Sequence, residues 1–274
     1  MSSPPVAIIT GGGSGIGGAT AARLRAEGWE VVISGRRPEP LQLIAEQTGA
    51  VPVVADTYSQ PDVTKLVEST FERFGSVNGL VLNAGIVRPG SVGELADDDW
   101  DDMMRTNLTG PFRLVREALP HLLASQGAIV GVASAAALRA TEAIAGYCAS
   151  KAGLTMLMQS IAVDYGPRGL RANAVCPGWT RTEMADVEMQ EYGADLGLGP
   201  EEAYRTATSF VPARRPAQAS EVADVISWLL SNKASYINAA VIPVDGGMVS
   251  VDPGSLGFSA MTTAALTSKA TMQP

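Results

Sequence analysis

Val6-Ala-Ile-Ile-Thr10-Gly11-Gly-Gly-Ser-Gly-Ile-Gly-Gly18, running into Ala19 to Glu27, decides the fold. Val6 to Thr10 is a short apolar run of strand character, Gly11 to Gly18 is a glycine turn, and Ala19 to Glu27 reads as a helix. Glycines let a backbone take positive φ and come close to a pyrophosphate, and a helix N-terminus offers unpaired N–H groups to the anion. Gly13-x-Gly15-x-x-Gly18 fits the GxGxxG fingerprint, and Thr10-Gly11-x-x-x-Gly15-Ile16-Gly17 is the preferred parsing, with Ser14 inside both. The stretch implies a dinucleotide site on an α/β sheet; glycines that serve only a tight turn are the plainer alternative.

Glu30 to Ser34 is a second strand, and its end separates the two nicotinamide dinucleotides. An acid there holds the ribose 2′-hydroxyl of NAD, whereas arginine suits the 2′-phosphate of NADP. This strand runs into Gly35-Arg36-Arg37 with no carboxylate in that place. Two guanidiniums able to grip a phosphate bidentately favour NADP, with NAD as the alternative. Both arginines can instead be solvated at a helix start, and Glu39 is near enough to reach a ribose. A helix over Pro40 to Thr48, a strand over Val51 to Ala55 and an amphipathic helix over Asp62 to Phe74 complete further crossovers.

Gly146-Tyr-Cys-Ala-Ser-Lys-Ala-Gly153 opens a helix that is apolar almost all round as far as Tyr165. Tyr147 and Lys151, four residues apart, share one face, so the ammonium can lie beside the phenol. A neighbouring positive charge favours phenolate and is expected to lower the tyrosine pKa, which suits a general acid/base. An ordinary amphipathic pair is the bland alternative.

Other landmarks fall in a fixed order. Gly79 to Ile86 is an apolar strand that contains Asn83-Ala84-Gly85. Asp97 to Asp102 starts one long helix with a polar Asn107 followed by Gly110. Gly127 to Ala133 is a strand that ends at Ser134. Leu170 to Cys176 is a strand before Pro177-Gly178-Trp179-Thr180-Arg181-Thr182, and Ala240 to Gly247 closes with Val-Asp-Gly-Gly. Together with the glycine turn and Tyr147-x-x-x-Lys151, this set resembles the short-chain dehydrogenase/reductase family over roughly residues 5 to 248. The resemblance implies a Rossmann-type doubly wound α/β fold: a mostly parallel seven-stranded sheet flanked by helices on both faces. It implies interconversion of a secondary alcohol and a ketone by hydride transfer to or from NAD(P), with Asn107, Ser134, Tyr147 and Lys151 as the catalytic set. In that scheme Ser134 polarises the substrate oxygen, Lys151 lowers the tyrosine pKa and holds the nicotinamide ribose, and Asn107 holds a relay water. Asp56 would accept from the adenine amino group, Asn83, Ala84 and Gly85 would flank the ribose, and Pro177, Gly178, Thr180 and Thr182 would grip the nicotinamide carboxamide. Gly11, Gly13, Ser14, Gly15, Ile16 and Gly17 would cradle the phosphates. Asn238-Ala239 replaces the family's usual Thr-Gly, away from the chemistry. A cofactor-sensing binding protein, or a non-redox epimerase or dehydratase, are alternatives on the same fold.

Composition sets the outer limits. With 274 residues and 46% hydrophobic content the chain can bury one large core, so residues 1–248 read as a single domain and 249–274 as a C-terminal extension. A net charge of −8 argues against nucleic acid and against an anionic membrane surface. Cys148 and Cys176 give no disulfide framework, and no signal peptide or spanning segment is present, which points to the cytoplasm. His121, the sole histidine, has no partner cluster, so no metal site is expected. Residues 183–212 lack strong periodicity and read as a mobile lid over the substrate. The loop Ala135 to Gly146 is small and apolar apart from Arg139 and Glu142, which points to a neutral, fairly apolar small alcohol or ketone. A helix over Ser220 to Leu230 has Ser220 as its expected N-cap. The apolar 146–165 helix needs a second subunit on its outer side, so a homo-oligomer, tetramer or dimer, is expected.

Overall fold

The computed structural model describes residues 3–254; the expectation for the extension falls largely on residues outside that range. Seven strands form one sheet: β1 (Val6–Thr10), β2 (Glu30–Gly35), β3 (Val51–Val54), β4 (Gly79–Leu82), β5 (Ala128–Val132), β6 (Arg171–Pro177) and β9 (Val241–Val244). Their order is β3-β2-β1-β4-β5-β6-β9, and every pairing is parallel. A short pair, β7 (Thr180–Arg181) with β8 (Ala217–Gln218), lies outside it. The chain builds outward from β1 to β3, then returns to place β4 on the other side of β1. That reversal opens a crevice at the carboxyl ends of β1 and β4, where sheets of this type bind ligands.

Each parallel step needs a crossover, supplied by α1 (Gly15–Ala26), α2 (Pro38–Thr48), α3 (Gln60–Phe74), α4 (Asp97–Met104), α5 (Gly110–Ala124), α6 (Ala145–Tyr165) and α9 (Ala219–Leu230). Alternation along the strands assigns the two faces. Ala7 and Ile9 pack under α1, α2 and α9 with Leu24, Leu41 and Ile226, whereas Ile8 turns to the opposite layer with Leu66, Leu114 and Met158 of α3, α5 and α6. Each of the larger side chains among these contributes about 1.5–3 kcal/mol through burial.

Three features differ from expectation. The helix begun at Asp97 is not continuous: a π-turn over Arg105–Thr109 separates α4 from α5. Residues 183–212 are ordered into α7 (Glu183–Leu196) and α8 (Pro200–Ala207), which share a small core of Ala185, Met189, Ala203 and Tyr204. The cap of α9 is Gln218, not Ser220: Gln218 and Glu221 form a reciprocal capping box, with Glu221 accepting the Gln218 N–H at 2.8 Å. Asn238 stitches the β6 edge, accepting from the Ala172 N–H at 2.8 Å, and Ala239 takes φ +57, a left-handed conformation that the usual glycine adopts with less strain.

Candidate active site

The glycine turn is built by steric exclusion. A Cβ on Gly17 would stand 2.2 Å from the Gly11 carbonyl oxygen, so only hydrogen fits where α1 crosses the end of β1. Asn83, just past β4, fastens the turn. Its Nδ2 donates to the Thr10 and Gly11 carbonyls at 3.0 Å each, while the Asn83 and Ala84 N–H groups donate to Thr10 Oγ1 at 3.0 Å. Asn83 therefore shapes the cradle from beneath, and Ile16 likewise packs into the core under α1. Ser14 precedes α1 without a capping bond, and the first turn holds no acid. Free amides at a positive helix end, in a cradle that a side chain would fill, fit a pyrophosphate.

The arginines divide. Arg36 is exposed and carries no ion pair among the described residues. Arg37 Nη2 lies 3.1 Å from Glu183 Oε2, and the hydrogen bond and charge of that guanidinium, with a smaller contribution from a Ser14 hydrogen bond, hold the carboxyl below the usual carboxylate range. Asp56 accepts the Tyr58 N–H at 2.9 Å, and its own N–H donates to Asp62 at 2.9 Å, which makes it a turn residue in this structure.

Ser134, Tyr147 and Lys151 converge beyond the ends of β5 and β6. Ser134 Oγ accepts from the Ala136 N–H at 3.1 Å and is hydrogen-bonded to the Tyr147 phenol. Lys151, only 3% exposed, donates from Nζ to the Val132 carbonyl at 2.9 Å and stands 5.6 Å from the Tyr147 ring centroid. Burial pushes the phenol up to about 12, against the opposing effect of the Ser134 bond, and the negative charge of Glu188 adds to the rise. Burial also brings Lys151 down to about 8. The expectation that Lys151 lowers the tyrosine pKa is thus not met here: the ammonium bonds a main-chain carbonyl beside the ring, and loss of solvent around the phenolate dominates.

Asn107 sits fully buried in the π-turn. Its Oδ1 accepts from the Ile86 N–H at 2.9 Å, and its Nδ2 donates to the Ile86 carbonyl and to Ser150 Oγ, both at 2.9 Å. Both amide hydrogens are thereby committed within the protein, to the Ile86 carbonyl and to Ser150 Oγ. Gly85 closes this corner: a Cβ there would meet Lys151 Nζ at 3.0 Å and Asn107 Oδ1 at 3.4 Å.

After β6, a Cβ on Gly178 would stand 3.0 Å from Asp245 Cα, so Pro177-Gly178 turns tightly against the Val-Asp-Gly-Gly end of β9. Thr180 Oγ1 donates to the Gly178 carbonyl at 3.1 Å. Thr182 caps α7 by accepting the Ala185 N–H at 3.2 Å, and its methyl lies 3.0 Å from where a Gly15 Cβ would be. Helix α7 accordingly begins over the glycine turn.

Residues 11–249 match a family model described as "Enoyl-(Acyl carrier protein) reductase". Levodione reductase of Leifsonia aquatica is 36% identical over 88% of this chain and 93% of its own length. The chain belongs to the short-chain dehydrogenase/reductase family. Within that family it is also similar to Protein MoaE of Klebsiella aerogenes, at 38% identity over 93% of this chain and 99% of the relative. A crystal structure of a variant actinorhodin polyketide ketoreductase with NADPH superposes with a TM-score of 0.86 at 35% identity, covering 90% of this chain and 98% of that one. This short-chain dehydrogenase/reductase is an oxidoreductase of the alcohol–ketone class. One residue gave no signal in the sequence, Glu183 at the Arg37 pair, because it depends on where α7 lies.

Proposed function

We propose that the protein is an NADP(H)-dependent ketone reductase and secondary-alcohol dehydrogenase in which Tyr147 is the general acid/base. The observation that carries this reading is the Tyr147 phenol, hydrogen-bonded by Ser134 and stacked beside a buried Lys151, at the mouth of the crevice that the glycine turn opens. Gly11, Gly13, Ser14, Gly15 and Gly17 would hold a pyrophosphate, Arg36 the 2′-phosphate, and Pro177, Gly178, Thr180 and Thr182 the carboxamide end. A nicotinamide dinucleotide, when bound, supplies or takes up the hydride. The phenol, held protonated at neutral pH by its raised pKa, gives its proton to the ketone oxygen in reduction. Ser134 Oγ orients that oxygen, and Lys151 sets charge next to the ring. The test is loss of nicotinamide absorbance when a simple methyl ketone is added with NADPH; product formed with no absorbance change would support an epimerase or dehydratase instead.

Cofactor choice rests on Arg36. Arg36→Ala is expected to weaken NADPH binding by ~10- to 100-fold, the scale of a charge-assisted bond, while NADH affinity stays within about twofold. Arg37→Ala should cost less, because Glu183 already occupies that guanidinium. Calorimetric titration of both variants decides it; equal losses for the two cofactors would make Arg36 a solvated residue.

We assign 183–212 as the substrate lid and residues up to 248 as one domain, with both cysteines free, as suits a reducing cytoplasm. Among the described residues no helix is long and apolar enough to cross a membrane. The outer face of α5 and α6 leaves Phe112, Met156 and Val163 exposed at 47%, 64% and 72%, an apolar surface suited to a second copy. Light scattering is expected to give an assembly larger than one chain, and Val163→Glu to shift it toward monomer. A monomeric native protein at micromolar concentration would exclude this interface.

A further inference from the structure

We infer that Glu183, at the start of α7, sets the cofactor preference of the site: it holds Arg37 in an ion pair and so withholds that guanidinium from the 2′-phosphate of NADP(H). This rests on the reading of Arg36 as the group that meets that phosphate. Three close approaches gather the residues involved around the glycine turn. The Gly12 N–H donates to the Ser34 carbonyl at 3.1 Å, which brings the end of β2, two residues before Arg36, against the turn. Arg37 is the residue that precedes α2, and Pro40 Cβ of that helix would stand 3.1 Å from a Cβ on Gly13. Thr182 has its methyl 3.0 Å from where a Gly15 Cβ would be, and Glu183 is the first residue of the helix that Thr182 caps. Glu183 Oε2 then lies 3.1 Å from Arg37 Nη2.

A carboxylate at the end of β2 favours NAD, because it bonds the ribose 2′-hydroxyl and its charge opposes a 2′-phosphate. This chain has none in that place, yet Glu183, 146 positions further on, brings one to the second of the two arginines. The arginines are therefore not equivalent. Arg36 has no ion pair among the described residues, whereas Arg37 has Glu183 bonded to it and the charge of Glu39 close by.

A 2′-phosphate carries nearly two negative charges and suits a guanidinium that meets it with two N–H groups. To use Arg37 it must displace Glu183. NADH has no group that needs this arginine, so its binding leaves the pair in place. The pair is also exposed, at 63% for Arg37 and 60% for Glu183, and an ion pair in water is weak enough for a phosphate to compete with it. Glu183 thus attenuates the preference for NADP without abolishing it, and the two arginines together discriminate less than their charge alone would allow.

The test is calorimetric titration of the native protein, Glu183→Gln, Arg37→Ala and the double variant with NADPH and with NADH. Glu183→Gln keeps the size of the side chain and removes its charge. NADPH affinity should rise about three- to tenfold while NADH affinity stays within about twofold, which also reports that the turn is intact. The rise should vanish when residue 37 is alanine. A rise of equal size for both cofactors would place the carboxylate at the shared pyrophosphate, and a rise that persists in the double variant would mean direct repulsion of the phosphate. Either result, or no rise at all, overturns the inference. Arg36→Ala in the same assay separates the two readings. An Arg37-dependent rise in Glu183→Gln, with NADPH binding indifferent to Arg36→Ala, would leave Glu183 assigned and give the phosphate to Arg37 alone; selective loss of NADPH in Arg36→Ala with no effect of Glu183→Gln would keep Arg36 and reject Glu183.

Discussion

Tyr147→Phe is expected to lower turnover by about a thousandfold, roughly 4 kcal/mol of transition-state stabilisation, while NADPH affinity stays nearly unchanged. The substitution removes one oxygen and keeps the ring that lies beside Lys151, so the packing of α6 against the end of β5 is preserved. What is lost is the phenol hydroxyl hydrogen-bonded to Ser134. No neighbouring group replaces it. Lys151 is turned to the Val132 carbonyl, and the Cys176 thiol, pushed up to about 11 by burial, is closed off in the core. Stability should fall by no more than about 1 kcal/mol, the worth of one partly buried hydrogen bond. Steady-state rates with a methyl ketone, paired with a cofactor titration, check both halves. Turnover within tenfold of the native enzyme would remove Tyr147 from the chemistry, and loss of cofactor binding as well would make it a structural residue.

Strand and helix character, the crossover order and the turn were legible because each rests on local chemistry. Apolar runs such as Val6–Thr10 alternate between two faces, Gly11 takes a positive φ, and Gly17 stands where no side chain fits. The spacing of Tyr147 and Lys151 likewise fixed their common face. It did not fix the direction of Nζ, which follows from the Val132 carbonyl on another element, and so the sign of the tyrosine shift came out opposite. The π-turn at Arg105–Thr109 is written in residues compatible with an ordinary helix; it becomes visible only through the clamp that Asn107 forms between Ile86 and Ser150. Helices α7 and α8 were missed because α7 exposes Met184, Val187 and Tyr192, which blurs its apolar period, while its buried face is only a few residues wide. The Gln218 cap was hidden by a neighbouring serine of better intrinsic preference, and the reciprocal bond with Glu221 overrode that preference. The pair of Arg37 with Glu183 joins positions 146 apart in the sequence, beyond any local pattern.

Gly17→Ala should be the most damaging of the small substitutions in the turn, and for a reason separate from backbone freedom. Gly17 is an ordinary helical residue; only space is at stake. A methyl at this position would stand 2.2 Å from the Gly11 carbonyl oxygen and 2.6 Å from Asn83 Nδ2, and neither atom is the free end of a flexible side chain. Relief requires α1 to move away from β1 or Asn83 to give up its bonds to Thr10 and Gly11. Either movement withdraws the α1 amides from the place where a pyrophosphate would lie. Overpacking of this kind costs about 2–3 kcal/mol, which for a chain of this size lowers the melting temperature by roughly 5–10 °C. NADPH and NADH affinity should fall together, unlike the selective loss expected for Arg36→Ala. Gly18→Ala is the control one residue on: its methyl would first meet the flexible tip of Ile44 at 3.0 Å, and helix propensity improves by up to about 1 kcal/mol, so melting and cofactor binding should stay near native. Thermal unfolding and calorimetry on the two variants therefore separate a steric requirement from a general intolerance of the turn. Near-native melting and binding in Gly17→Ala would show that α1 and Asn83 can yield, and would remove the close approach from the account of the cradle.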